Sequence, residues 1–216
     1  MSDNRTLPRL LLVLTVVTGV VDAVSILSLG RVFVANMTGN VVFVGFALAG
    51  APGFSLSASV FALAGFLVGA AAGGALPGER GARLLRNGSA CELALLVVAL
   101  VIAVLAGAPF GAVPRAALAA VVAIAMGIQN AVARRLAVPD LTTTVLTMTL
   151  TGLAADVRAS GWSRSALTRI AAVVAMLIGA VAGTLLVLHA SPEAALAVAV
   201  ALLIIVTATA TCSARV

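Results

Sequence analysis

Six runs of about twenty apolar residues dominate the chain and limit it to folds in which lipid is the main solvent. The runs occupy 9–29, 56–76, 90–110, 114–134, 167–189 and 193–212. Each has the length of about 20 residues that a helix needs to cross a bilayer. Charged residues make up 9% of the chain, whereas soluble domains carry about 25%. The sequence therefore predicts an all-α integral membrane protein.

Two further segments, 33–51 and 139–156, are shorter or more polar, and the arginine positions indicate whether they cross. If they do not cross and the N-terminus is cytoplasmic, 11 arginines lie inside and 2 outside. Eight full spans would give 7 and 6, which contradicts the enrichment of basic residues in cytoplasmic loops. A seven-span alternative, in which 33–51 crosses from an external N-terminus, gives 10 and 3 and stays open.

The two halves of the chain resemble each other. Gly19–Val24 aligns with Gly127–Val132, and the glycine-containing stretch 67–76 aligns with 177–186. Three crossings per half would insert the second half upside down, as in secondary transporters that bind substrate near the midplane at interrupted helices. We therefore predict six transmembrane helices plus two re-entrant or broken segments, built as an inverted 3+3 repeat. The predicted parts are a cytoplasmic N-terminus (1–8), a first transmembrane repeat (9–110) and a second (111–216).

Asp22 is the acidic residue that this interpretation places well inside a span. Thr15, Thr18, Asp22 and Ser25 are spaced 3, 4 and 3 residues apart, so they form one polar stripe on a helix. A charge at this depth costs roughly 2.5–3.5 kcal/mol and should face protein or water. One hypothesis is a proton or cation site that couples transport. The alternative is a structural aspartate that holds two helices together.

The segment Asn36-Met37-Thr38-Gly39-Asn40 interrupts an apolar run with three hydrogen-bonding side chains and a glycine. If Gly39 breaks a helix, the freed backbone groups must line a cavity or lie buried in protein. The alternative is hydrogen bonding between helices by Asn and Thr side chains. We favour a functional cavity.

The corresponding polar groups of the second half are Gln129, Asn130 and a threonine-rich stretch. Thr144, Thr147 and Thr151 are spaced 3 and 4 apart, which places their hydroxyls on one helix face. Individual threonines also bond readily to their own helix backbone. The predicted substrate- or ion-binding residues of the whole chain are Asp22, Thr18, Ser25, Asn36, Thr38, Gly39, Asn40, Gln129, Asn130, Thr144 and Thr147.

Other classes of function find no support in the sequence. There is no nucleophile–base pair, metal-ligand cluster or phosphate loop, so we expect neither an enzyme nor a cofactor or metal site. No basic stripe interleaved with aromatics indicates nucleic-acid binding. The expected partners are the lipid bilayer and an unidentified small solute or ion, with a homo-oligomer as an alternative to a monomer.

Two stretches carry a family resemblance. GVVDAVSILSLGRVFVANMTGNVVFVG at 19–45 and TTTVLTMTLTGLAAD at 142–156 resemble the YoaK-like family, bacterial multi-pass membrane proteins grouped as a domain of unknown function. The likeness covers nearly the whole chain. It implies a multi-pass protein of the bacterial inner membrane, with cytoplasmic termini expected from the charge distribution, and it brings no substrate.

The expected function is that of a small secondary transporter or permease with a polar site at the midplane. The alternative is a non-transporting assembly or partner-binding subunit whose polar motifs are structural. A wet, connected cavity at Asp22 favours the first, and an Asp22 sealed by an arginine in a dry core favours the second.

Overall fold

The computed structural model describes residues 3–78, 81–139, 141, 143, 146–160 and 163–214, and this part of the chain forms eight helices and no strand. Six of the helices are long and apolar enough to cross a membrane, which confirms the predicted class and number of candidate spans. The helices are α1 (Asp3–Ser28), α2 (Met37–Leu48), α3 (Leu56–Ala75), α4 (Ala82–Ala106), α5 (Ala112–Leu136), α6 (Leu146–Ser160), α7 (Arg164–His189) and α8 (Pro192–Ser213).

Helices α1 and α5 form the centre of the bundle. In the most apolar stretch of each long helix, 67% of α1 and 61% of α5 is buried, against 22–39% in the other four. Helix α1 packs mainly against α7 and α8, and α5 packs against α3 and α4. The outer helices turn large apolar side chains such as Leu67, Leu105 and Leu188 outward, as expected where lipid is the solvent.

Glycines allow the closest helix contacts. A Cβ on Gly69 of α3 would overlap the carbonyl oxygen of Ile124 in α5, and a Cβ on Gly179 of α7 would overlap that of Val16 in α1. Small residues that let helix backbones approach are the usual interface of membrane helices. These glycines are therefore packing residues of the two helix interfaces.

The order of these contacts gives the helix directions. Gly69 and Gly73 meet Ile124 and Ile128 in turn, so α3 runs parallel to α5. Gly179 and Gly183 meet Val16 and Val20 in turn, so α7 runs parallel to α1.

One end of the bundle brings together the connections that fix the remaining directions. Its surface cavity is lined by the end of α1, the residues before α3, the α4–α5 connection and the α7–α8 connection. We call this end of the bundle the Arg115 end. The opposite end, where α5 finishes, is the Arg135 end. Helices α1, α4 and α7 therefore run toward the Arg115 end, and α3, α5 and α8 run away from it.

It follows from these directions that the residues before α2 and those after it lie at the same end of the bundle. The chain leaves α1 and enters α3 at the Arg115 end, where Gly53 lies beside the guanidinium of Arg31. With 12 residues, α2 is about 18 Å long, well short of a bilayer core of about 30 Å. Helix α6, with 15 residues, similarly joins α5 to α7 at the Arg135 end.

Cysteine labelling tests this topology. In a chain with Cys91 and Cys212 replaced, Pro52→Cys and His189→Cys should react with a membrane-impermeant maleimide from one side of the membrane. Pro77→Cys and Pro139→Cys should react only from the other side. Arg31→Cys, before α2, should react from the same side as Pro52→Cys. Labelling of these two positions from opposite sides would mean that α2 crosses the membrane, as in the seven-span alternative.

Candidate functional site

The non-helical segment 29–36 between α1 and α2 lies against the centre of the bundle. Leu29, Val32, Val34 and Ala35 are buried, so the backbone amides here cannot rely on water. An unpaired backbone group in such a place costs free energy comparable to a lost hydrogen bond. The sequence must therefore supply partners for this segment from side chains.

Asp22 and Asn40 supply those partners. Oδ1 of Asp22 accepts hydrogen bonds from the backbone amides of Val34 at 3.4 Å and Ala35 at 3.3 Å. Oδ1 of Asn40 accepts from the amide of Phe33 at 2.9 Å, and its Nδ2 donates to the carbonyl oxygen of the same residue. We call these two side chains and the backbone they hold the Asp22–Asn40 clamp. It fixes the entry of α2.

Packing of aromatic rings reinforces the same region. Phe33 stacks on Phe43 with ring centroids 5.7 Å apart, and Phe43 lies 5.0 Å from Phe54. A Cβ on Gly39 would overlap the Phe33 ring, so the glycine makes room for it. The helix is not broken at Gly39, because α2 begins at Met37 and continues through it. The interruption lies before Met37.

The polar stripe of α1 is buried as the spacing predicts, but its hydroxyls are largely used within the helix. Thr15 and Thr18 donate to the carbonyls one turn earlier, and Ser25 donates to the carbonyl oxygen of Asp22. Thr18 also accepts a hydrogen bond of 2.8 Å from Nε2 of Gln129, which links α1 to α5 in the core. Oε1 of Gln129 is buried without a partner in the described part of the chain.

The other predicted binding residues do not converge on one point. Asn36 and Thr38 are exposed, as is Thr147, while Thr144 lies outside the described residues. Asn130 lines a cavity of about 690 Å³ at the Arg135 end, beside Phe66 and Arg134. The structure thus places Asp22 with Asn40, Thr18 with Gln129, and Asn130 at a cavity, as three separate groups.

Glu92 is a buried acidic residue that the sequence reasoning missed. The apolar run predicted to begin at 90 put Glu92 at the end of a span, but α4 begins at Ala82 and Glu92 lies in its third turn. Glu92 is 1% exposed, and its Oε1 has no hydrogen-bond partner among the described residues. The statement that Asp22 alone is deep in a span was therefore wrong. The overlooked sequence signal is the helical spacing of apolar residues around Glu92, with Leu85 seven residues before it and Leu96 and Ala99 four and seven after it.

Arg135, in the last turn of α5, caps the end of the neighbouring helix α3. Nη1 donates to the carbonyl oxygens of Gly73 at 3.2 Å and Leu76 at 2.8 Å, and Nη2 donates to that of Gly78 at 3.0 Å. A cation at the C-terminus of a helix also interacts favourably with the helix dipole. This side chain holds the end of α3 to α5.

Substitution of the clamp residues tests its contribution to stability. Asn40→Ala should lower the free energy of unfolding by about 1–3 kcal/mol, because it leaves the amide of Phe33 unpaired. The matched control Thr38→Ala changes an exposed side chain in the same helical turn and should stay within about 0.5 kcal/mol of the parent. Thermal unfolding of the purified protein in detergent measures both.

Asp22 allows a sharper comparison in the same assay. Asp22→Asn retains an oxygen that can accept from Val34 and Ala35, so this variant should stay folded. Asp22→Leu removes both hydrogen bonds and should destabilise the protein by about 1–3 kcal/mol for each unpaired amide. Equal stability of the Asn and Leu variants would contradict the clamp.

Comparison with known proteins gives the family. A model described as "Protein of unknown function (DUF1275)" matches residues 10–209. The chain is 37% identical over 150 residues to UPF0700 transmembrane protein YoaK of Bacillus subtilis (strain 168), which covers 68% of this chain and 66% of that protein. The aligned region thus spans just under two thirds of the relative's length. No solved structure matches the chain. These findings confirm the resemblance seen in the two sequence stretches, and the chain belongs to the DUF1275 family of multi-pass membrane proteins.

Proposed function

We propose that the protein is a small secondary transporter or permease of the bacterial inner membrane. The observation that carries this proposal is a pair of cavities at opposite ends of the bundle. The cavity at the Arg115 end has a volume of about 1170 Å³ and that at the Arg135 end about 690 Å³. Between them lies the packed contact of α1 with α5, where Thr18 meets Gln129. A pathway that opens to the two ends in turn would give alternating access.

An inverted 3+3 repeat with α2 and α6 as re-entrant segments belongs to this proposal. Its support is a repeated contact: the Gly69 approach to Ile124 in one pair of helices has the counterpart Gly179 to Val16 in the other. In one pair α1, the first helix of the first half, runs parallel to α7. In the other pair α5, the first helix of the second half, runs parallel to α3. Helices broken at corresponding positions of two repeats are where transporters of this kind bind their substrates.

The proposed orientation places the Arg135 end in the cytoplasm, with both termini on that side. The arginines with described side chains at this end are Arg9, Arg83, Arg86, Arg134, Arg135, Arg164 and Arg169. Arg31 and Arg115 lie at the other end. An excess of arginine in cytoplasmic loops supports this orientation, and the cysteine labelling described above tests it when applied to inside-out vesicles.

Asn130 is the predicted binding residue whose position fits a solute pathway most directly, because it lines a cavity. Asp22 is proposed as the coupling group. Both clamp hydrogen bonds of Asp22 use Oδ1, which leaves Oδ2 for a proton or cation. Asn36, Thr38 and Thr147 are exposed, so a role for them would require the pathway to pass along α2 and α6.

A second candidate is a non-transporting membrane subunit. The observation that favours it is the Asp22–Asn40 clamp, in which both side chains are bound to the backbone of segment 29–36. In that case the polar motifs build the fold, and partners bind elsewhere.

Ligand-induced stabilisation distinguishes the two candidates. Purified protein is screened by thermal unfolding against small metabolites and ions, since a ligand of the folded state at 100 times its Kd adds about 2.7 kcal/mol of stability. A transporter should be stabilised by at least one compound. That effect should weaken in Asn130→Ala and persist in the exposed control Ser57→Ala.

Flux of the stabilising compound into proteoliposomes completes the test. The wild type should transport it, and Asp22→Asn should remain folded but lose ion-coupled uptake. Unchanged pH-dependent flux in Asp22→Asn would refute the coupling role of Asp22. Absence of any stabilising compound, together with flux no greater than in protein-free liposomes, would support the subunit.

A further inference from the structure

Glu92 lies in the middle of the bundle, apart from both the clamp and the two cavities. It is 1% exposed, and its Oε1 has no partner among the described residues. A carboxylate that is ionised in an apolar interior needs a compensating charge or hydrogen bonds. An acidic side chain kept in such a place in a membrane helix marks a functional site by default.

The packing of α4 on α5 brings Glu92 to the level of Gln129. A Cβ on Gly88 would lie 2.6 Å from a methyl carbon of Val132, which sets the register of these two helices. Glu92 is one turn along α4 from Gly88, and Gln129 is three residues back along α5 from Val132. Residues three or four apart share a helix face. Since α4 and α5 run in opposite directions, Glu92 and Gln129 face the same contact.

Gln129 has a hydrogen-bond acceptor that no described residue uses. Its Nε2 is bound to Thr18 at 2.8 Å, whereas its Oε1 is buried and lacks a partner in the described residues. An ionised Glu92 would add further acceptors and no donor. A protonated Glu92 has an O–H to donate, which complements the free oxygen of Gln129.

We infer that Glu92 and Gln129 form a proton-binding site between α4 and α5. A bound proton needs one group that carries it and one oxygen that accepts its hydrogen bond. The Glu92 carboxyl group supplies the first, and Oε1 of Gln129 supplies the second. A hard metal cation is a poorer fit, because calcium, for example, takes six to eight oxygen ligands. The buried oxygens without a partner in the described chain number four, on Glu92, Gln129, Thr143 and Thr207.

Neighbouring charges do not substitute for the proton. On α4 itself, the Arg86 guanidinium is bound to the side chain of Asn87, and Arg83 is exposed two turns before Glu92. From α5, Arg135 is bound to the end of α3, and Arg134 is exposed beside it at the Arg135 end. The packed helix α8 carries Glu193 in its first turn, at the Arg115 end.

Infrared spectroscopy of the full chain in proteoliposomes tests the site. The wild type at neutral pH should show the carbonyl band of a protonated carboxyl group, and Glu92→Gln should abolish it. The band should remain in the control Glu193→Gln and in Asp22→Asn. Gln129→Leu should shift it to higher frequency, because the hydrogen-bond acceptor is lost. Identical spectra for the wild type and Glu92→Gln, or loss of the band on adding sodium ions, would overturn the proposal.

Isotope labelling makes the test independent of whether Glu92→Gln folds. Carboxyl-¹³C glutamate should shift the band in the wild type, in which glutamate occurs at 79, 92 and 193, and the shift should persist in Glu193→Gln. An unshifted band would assign the proton to an aspartate and refute the site. Use of this proton for coupling rests on the proposed transport function. If the band is present but no proton-dependent flux is found, the proton site is supported and the proposed transport function is contradicted.

Discussion

The structure depends on one constraint: the buried backbone between α1 and α2 must find hydrogen-bond partners where water is scarce. Non-helical backbone at membrane depth is tolerated only when it is buried in protein or lines a wet cavity. Asp22 from the preceding helix and Asn40 from the following one bind three successive amides, those of Phe33, Val34 and Ala35. Without them, the chain would favour a continuous helix, and α2 could not begin where it does.

The clamp is also linked to the packing of the central helices. Segment 29–36 covers one side of α1. Glycines let α7 approach α1 closely on another side, so α1 is buried on most sides. The same closeness recurs between α3 and α5. The contact between α1 and α5 holds the Thr18–Gln129 pair. Glu92 is buried on the neighbouring helix α4, which packs on α5. The proposed proton site and the Asp22–Asn40 clamp are therefore separate groups of residues in the same bundle.

Much of the architecture could be predicted from the sequence because bilayer thickness imposes a helix length. The six candidate spans and the short segments α2 and α6 follow from that. The burial of Asp22 follows from its helical spacing with Thr15, Thr18 and Ser25. The start of α4 could not be predicted well, since polar residues such as Asn87 and Ser89 lie inside the helix but resemble a loop. Glu92 was missed for this reason. The exposure of Asn36 and Thr38 was also missed, because apolar runs alone do not separate a lipid-facing side from a protein-facing one.

Hydrogen–deuterium exchange of the amides of Phe33, Val34 and Ala35 in proteoliposomes tests the central claim most directly. Buried, bonded amides open only with the surrounding structure. The account predicts that these three exchange as slowly as amides in the middle of α1. The amides of Val34 and Ala35 should exchange much faster in Asp22→Leu, and that of Phe33 much faster in Asn40→Ala. Exchange in the wild type as fast as that of the amide of Gly53 in the exposed α2–α3 connection would contradict it.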